Sequence, residues 1–312
     1  MSSQEPASPS EPPRSEPSPS GLRQSPAAPR WISVQVPRYR EFLRRALGQA
    51  VRRLGPGLEP VGEPMVSFSE RSIGSRVRRR GELLWLRVAP FDEGRMDQEA
   101  WSGNLAANAI LGVPKPVVEE RVVWSEADPV PVEVAAELMT YVADRPVSAG
   151  REPAELSGVS EAWWSDLRGA LDNLAGHPTN RQFRWHTAAH YEALLTAFYG
   201  GRGDLGPVPK WRTEHLDLHW NNVTAPHLWI IDWELWGTAV AGYGAATLYC
   251  TALAVPRVAR RVRETFTEVL DSPAGRYAQL VVAAELLTQT AAHGEPLGPV
   301  REMHRLADEL LG

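Results

Sequence analysis

Trp211-Arg-Thr-Glu-His215-Leu-Asp217-Leu-His219-Trp-Asn-Asn222-Val-Thr-Ala-Pro-His-Leu-Trp-Ile-Ile231-Asp232-Trp-Glu234-Leu-Trp236 is the stretch on which the reading of this chain turns. His215, Asp217 and Asn222 form a His-x-Asp-x-x-x-x-Asn run. A short apolar strand, expected over Leu228 to Ile231, then delivers Asp232 and Glu234. This is the order a phosphoryl-transfer site needs: a carboxylate beside the attacking hydroxyl, then an amide and a second carboxylate to hold magnesium under nucleotide phosphates.

The rest of the chain is long enough to carry such a site. At 312 residues with 43% apolar side chains it can build two modest lobes around a real core. A formal net charge of -5 leaves no basic field for nucleic acid, which is not expected as a partner. The single cysteine, Cys250, lies in the apolar run Ala245 to Val255. That suits a buried thiol and excludes an intrachain disulfide framework, so a cytoplasmic setting is expected. No apolar run of membrane-spanning length is present, and the first residues lack the basic start and apolar middle of a signal peptide.

Residues 1–30 are dominated by Ser, Pro, Glu and Ala and are expected to be a disordered tail. From Pro37 to Leu54 apolar residues recur at helical spacing. Val66 to Ser69, Ile73 to Arg79 and Leu83 to Val88 read as an antiparallel meander, and Asp97 to Leu111 as a helix with Asp97 or its neighbour as cap. Strands are expected at about Val117 to Trp124 and Val130 to Met139. Beyond Pro146 helices dominate: Ser160 to Leu174, Thr187 to Tyr199, Val258 to Leu270, Ala274 to Ala292 and Pro299 to Leu311. The expected class is α+β. A β-rich N-lobe over 31–141 precedes a larger, mainly helical C-lobe over 142–312 that holds the polar stretch.

On His215 to Asn222 followed by Ile231 to Glu234, the chain resembles the aminoglycoside phosphotransferase and choline kinase-like family, the small-molecule branch of the protein-kinase-like fold. The resemblance covers about Val66 to the C-terminus in element order and is specific in this stretch alone. It implies a two-lobe fold, ATP and Mg²⁺ as cofactors, and a small-molecule hydroxyl as acceptor. Asp217 is then the catalytic aspartate, His215 braces its loop, and Asn222 and Asp232 hold the metal. His219 and Glu234 are further candidates for substrate or metal contact, and Glu234 can equally pair with an arginine.

The nucleotide side departs from the family's pattern. Lysine occurs only at 115 and 210, and the position matching the usual strand lysine is Arg87, with Glu99 as its natural helix partner. Trp85, two residues away on the same strand, projects beside Arg87 and either stacks on adenine or fills its pocket. Met139, at the end of the last expected N-lobe strand, is counted with this nucleotide wall. The phosphate-covering loop offers only Ser72, Gly74 and Ser75 and reads equally as a hairpin turn. A catalytically silent binding protein of the same fold is therefore the alternative. A hydrolase built on metal-binding histidines is weaker, because no Glu follows His186 as a zinc protease requires.

Overall fold

The computed structural model describes residues 36–67, 70–91, 97–127, 131–153, 156, 158–200, 202, 205–293 and 298–312. The expected tail at 1–30, Phe68 and Ser69 of the expected first strand, and Val130 of the expected Val130 to Met139 strand lie outside them. Helix α1, Val36–Arg53, is amphipathic and buries Phe42, Leu43, Ala46, Leu47 and Ala50. Its face covers an antiparallel sheet of β1 (Leu58–Val66), β2 (Ile73–Arg79), β3 (Glu82–Phe91), β4 (Val118–Glu126) and β5 (Val132–Thr140) in the order β1-β2-β3-β5-β4. The first strand begins eight residues earlier than its apolar pattern suggests. It is an edge strand carrying Pro60, Gly62 and Pro64 with most positions exposed, so it has no alternation to read.

The period of two divides the sheet into a core face and a cleft face. Ile73, Val77, Leu84, Leu86, Val88, Val134, Ala136 and Leu138 cluster with α1. Gly74, Trp85, Arg87, Glu137 and Met139 therefore lie on the opposite face. Register there is explicit: Arg87 stands opposite Gly74 on β2 and Glu137 on β5, Glu137 opposite Arg121 on β4, and Trp85 opposite Met139.

Helix α2, Gln98–Ala106, is shorter than the expected 97–111 and ends in a 3₁₀ turn, Ala107–Ala109. Asp97 is its N-cap residue by position, yet its side chain makes no capping bond. With Ala89 and Ala135, Trp101 joins the large C-lobe core, so α2 bridges the lobes. Gly103 marks the contact: a Cβ there would run into the Trp233 and Glu234 carbonyls. Gly103→Ala is expected to cost about 1–3 kcal/mol by overpacking, read from the urea midpoint.

The C-lobe contains α3 (Glu161–Gly176), α4 (Ala188–Tyr199), α5 (Tyr243–Ala252), α6 (Pro256–Thr265), α7 (Thr267–Leu270), α8 (Pro273–His293) and α9 (Val300–Leu311). Ser160 caps α3 by accepting from the Trp163 amide, and Thr187 caps α4 through His190, as their residue types favour. The helix expected over Val258 to Leu270 is broken at Phe266, where φ is -115°. Cys250 is buried in the core. Trp163, Trp220, Trp233 and Trp236 each donate an indole N–H to a backbone carbonyl, which makes them hydrogen-bonded props of the site region. Among the described residues no helix is long and apolar enough to cross a membrane.

Candidate active site

The polar stretch is folded between two strands that its apolar pattern does not single out. β7 (Trp211–His215) pairs antiparallel with β9 (Trp236–Val240), closing Asp217 to Asp232 into one loop on the cleft floor. The strand expected at Leu228 to Ile231 is reduced to a single bridge between Val223 and Ile230. Two short strands, β6 (Arg145–Pro146) and β8 (Thr224–Ala225), tie the segment after β5 to this loop. Asn221 adds a side-chain bond to the Ser148 carbonyl at 2.8 Å.

His215 is fully buried, and burial lowers its pKa to about 4, so the ring is neutral. Its Nδ1 accepts from the Asp217 amide at 3.3 Å, while Nε2 donates to the Ile231 carbonyl at 3.2 Å. One imidazole thus ties the residue before Asp232 to Asp217 itself.

Asp217 receives the Arg151 guanidinium on Oδ1 at 2.8 Å and faces His219 Nε2 at 3.6 Å through Oδ2. The His219 Nδ1 accepts from the Asn221 amide at 3.3 Å, which leaves the proton on Nε2, aimed at Asp217. Burial alone would raise the Asp217 pKa. The His219 hydrogen bond and the Arg151 charge outweigh it and hold the carboxyl well below the usual range.

Asn222 is buried and donates from Nδ2 to the Asp217 carbonyl at 2.9 Å, so its amide oxygen is the atom available to a ligand. Asp232 opens into the cleft from a left-handed backbone position, φ 64°, a conformation aspartate tolerates better than most residues. Burial and the Asp217 charge raise its pKa. Asn222 and Asp232 are adjoining through the Ile231 amide, which donates to the Asn222 carbonyl at 2.9 Å. A carboxylate and an amide oxygen suit Mg²⁺, which takes few protein ligands and completes its shell from phosphate oxygens and water. Among the described residues no group of three or more His, Cys, Asp or Glu could hold a metal. His186, the histidine first in line for a zinc reading, is instead buried, bonded to the Tyr191 hydroxyl at 2.7 Å, and lowered by burial to a pKa of about 3.

On the sheet side the Arg87–Glu99 pair is not formed. Glu99 bonds Arg181 at 3.0 Å, and Arg87 takes Glu137 at 3.5 Å and Glu234 in close contact. The reason is register: Glu137 stands directly opposite Arg87, whereas Glu99 is drawn toward an arginine that already donates to its backbone carbonyl at 2.5 Å. Glu137 also accepts from Asn104 at 3.0 Å and meets Arg121 at 3.5 Å, giving an Arg-Glu-Arg row across three strands. Of the two readings open for Glu234, pairing with arginine is the one observed.

Trp85 and Met139 are cross-strand neighbours on the cleft face, with Met139 buried. The indole lies over Gly74, where a Cβ would collide with its six-membered ring. Ser75 belongs to the opposite, α1-facing side and donates to the Arg76 carbonyl, so its hydroxyl is not directed at the cleft. Ser72 is buried at the end of a turn closed by the Ser67 amide on the Ser72 carbonyl at 2.9 Å. Ser72 thus closes the turn that leads into β2, and Gly74 and Ser75 stand on that strand.

Two further acids that the sequence pattern does not flag, Glu214 and Glu285, support the C-lobe around Tyr243. Glu214 accepts from the Gly242 and Gly244 amides at 2.7 and 3.1 Å, fixing the start of α5, and burial raises its pKa to about 7. Tyr243, next in the chain to both glycines, donates to Glu285 of α8 at 2.5 Å, and its own ionisation is opposed by burial, by Glu285 and by Asp217. Burial raises the Glu285 pKa to about 8. The folded state therefore binds more protons than the unfolded chain between pH 4.5 and 8, and this contribution to stability is lost as pH rises through that window. Melting temperature is expected to fall between pH 6.5 and 8, and Glu285→Gln to flatten that slope; an unchanged slope contradicts the assignment.

No protein-family model matches the chain. Nor does any curated protein match it in sequence. Solved structures do match. Aminoglycoside phosphotransferase APH(4)-Ia superposes with a TM-score of 0.57 at 13% identity, covering 86% of this chain and 98% of that one. A thermostable mutant of it, in ternary complex with AMP-PNP and hygromycin B, gives 0.55 at 14% identity over 85% and 97%. Amicoumacin kinase in complex with AMP-PNP, Ca²⁺ and its ligand gives 0.51 at 11% identity over 87% and 95%. The chain has the two-lobe α+β fold of these small-molecule kinases.

Proposed function

We propose that the protein is an ATP- and Mg²⁺-dependent phosphotransferase that moves the γ-phosphoryl group to a hydroxyl of a small molecule. The observation that carries this reading is the convergence of Asp217, Asn222 and Asp232 on one cleft floor, joined by His215. Bound magnesium would neutralise phosphate charge from Asp232 and the Asn222 oxygen. Asp217 would accept a hydrogen bond from the acceptor hydroxyl and so aim its oxygen at the γ-phosphorus. As the new O–P bond forms, the bond to the β-phosphate oxygen breaks, ADP leaves, and the acceptor proton passes by way of Asp217 to solvent. A carboxylate with a depressed pKa is a weak base. In a loose transition state it is needed mainly to orient the nucleophile, and Arg151 and His219 keep it ionised for that task.

A second reading, a kinase-fold protein that binds without turnover, is favoured by the Arg87–Glu234 contact, which occupies the cation that nucleotide phosphates would use. Thermal unfolding with Mg-ATP tests the first reading. At a hundred times its dissociation constant the nucleotide should stabilise the fold by about 2.7 kcal/mol. No shift at millimolar Mg-ATP would exclude both ATP-dependent transfer and ATP binding.

A further inference from the structure

Among the described residues of the turn that would cover nucleotide phosphates, the amides of Glu70, Arg71 and Ser72 are already engaged. The amides of Arg71 and Ser72 both donate to Ser67 Oγ at 3.1 Å, and the Glu70 amide donates to the Ser67 carbonyl at 2.8 Å. A phosphate loop works by turning unpaired N–H groups toward its anion, and these three are already paired. Side chains take their place. Arg71 extends from the turn to within 4.0 Å of Glu234 Oε2, while Arg87 holds Glu234 Oε1. One carboxylate therefore bridges two guanidinium groups, an oxygen to each.

Resting on the nucleotide reading above, we propose that Arg71 and Arg87 form a two-guanidinium clamp for the polyphosphate chain, and that Glu234 is its built-in occupant until a polyphosphate displaces it. Guanidinium planes bind carboxylate and phosphate with the same fork of N–H donors, so a carboxylate seated between two of them marks where a phosphate can sit. The placement suits this. The Glu234 side chain is 11% exposed and that of Arg71 31%, which leaves the outer arm of the clamp reachable from the cleft. Asp232, two residues before Glu234, opens into the same cleft, and its charge is felt by both arginines. Arg87 retains Glu137 as a counter-charge when Glu234 leaves, so displacement does not strand it. Apparent polyphosphate affinity is then the intrinsic affinity reduced by the fraction of molecules in which Glu234 has vacated the clamp. Glu234 lies on the C-lobe side and Arg87 in the N-lobe sheet, so ligand entry also exchanges a contact between the lobes.

The test is calorimetric titration of the full chain with inorganic tripolyphosphate, Mg-ATP and adenosine, repeated on Glu234→Gln and Arg71→Gln. Glu234→Gln is expected to tighten tripolyphosphate and Mg-ATP by about ten-fold or more, and Arg71→Gln to weaken both by about ten-fold, with adenosine changed less than about two-fold. Should Glu234→Gln fold poorly on melting, Glu234→Asp, which withdraws the carboxylate by one methylene, is expected to shift affinity the same way. Polyphosphate binding unmoved by either substitution overturns the clamp. If Mg-ATP binds equally to all variants, the clamp falls and the nucleotide reading stands. If tripolyphosphate responds as described while Mg-ATP and adenosine do not bind, the clamp stands and the nucleotide reading falls.

Discussion

Asp217→Ala is expected to lower Mg-ATP-dependent phosphoryl transfer by about 10²- to 10⁴-fold, the range over which a positioned acid–base group contributes. The loss should fall on turnover and spare the nucleotide. In the proposed site Asp217 faces the acceptor, its carboxylate held by Arg151 and His219, while Asn222 and Asp232, the proposed metal ligands, lie on a segment tied by the Ile231 amide to the Asn222 carbonyl. Half-buried on the cleft wall, Asp217 can be truncated without opening a large core cavity, so thermal stability should change little. Asp217→Asn should behave nearly as badly, because it keeps the shape and loses the charge that Arg151 and His219 hold in place. Measured as ADP formation with any accepted hydroxyl compound, a loss smaller than about ten-fold would remove Asp217 from the catalytic role.

Glu137→Ala is expected to destabilise the fold by about 3–5 kcal/mol, the cost of breaking one member out of a buried charge network. Glu137 is fully buried and serves Arg87, Arg121 and Asn104 together. Arg121 is also stacked over the Trp101 ring at 4.5 Å, so it cannot swing away to solvent without giving up that contact. Truncation leaves two arginines two strands apart on one face, Arg87 keeping Glu234 while Arg121 loses its carboxylate partner. Glu137→Gln should cost less, since its amide oxygen can still accept from Asn104. The check is the urea midpoint and slope. A change under about 1 kcal/mol would mean that the row is solvated and adds no more than surface ion pairs do.

What could be read from the chain depended on how far apart the interacting residues lie. His215 ends β7, and Asp217, Asn222 and Asp232 sit within the one loop that follows it, so their offsets alone constrain their geometry. The helices were legible because a period of 3.6 and the caps Ser160 and Thr187 are local. β1 was not, because Pro60, Gly62 and Pro64 erase alternation on an edge strand. The partner of Arg87 is hidden in the sequence for a different reason. Glu137 stands in the apolar run Val134 to Met139, itself a signal that this acid has a buried partner. Only strand register identifies that partner as Arg87, and Glu99, chosen by analogy, is claimed by Arg181. Arg151 and Arg71 reach Asp217 and Glu234 from separated segments, and no spacing in the sequence points to them.

The cleft face of the sheet illustrates the same limit. The period of two correctly put Trp85 and Arg87 on one face, but the position of the indole over Gly74 follows from β2 lying alongside.

The most direct measurement is ADP formation from Mg-ATP by the wild-type chain against a panel of hydroxylated small molecules, with Asp217→Ala run in parallel. Acceptor-dependent ADP release and a phosphorylated acceptor are expected in at least one case, and neither in the variant. Mg-ATP that binds but is never transferred to any acceptor, or transfer that persists in Asp217→Ala, would contradict the proposed function.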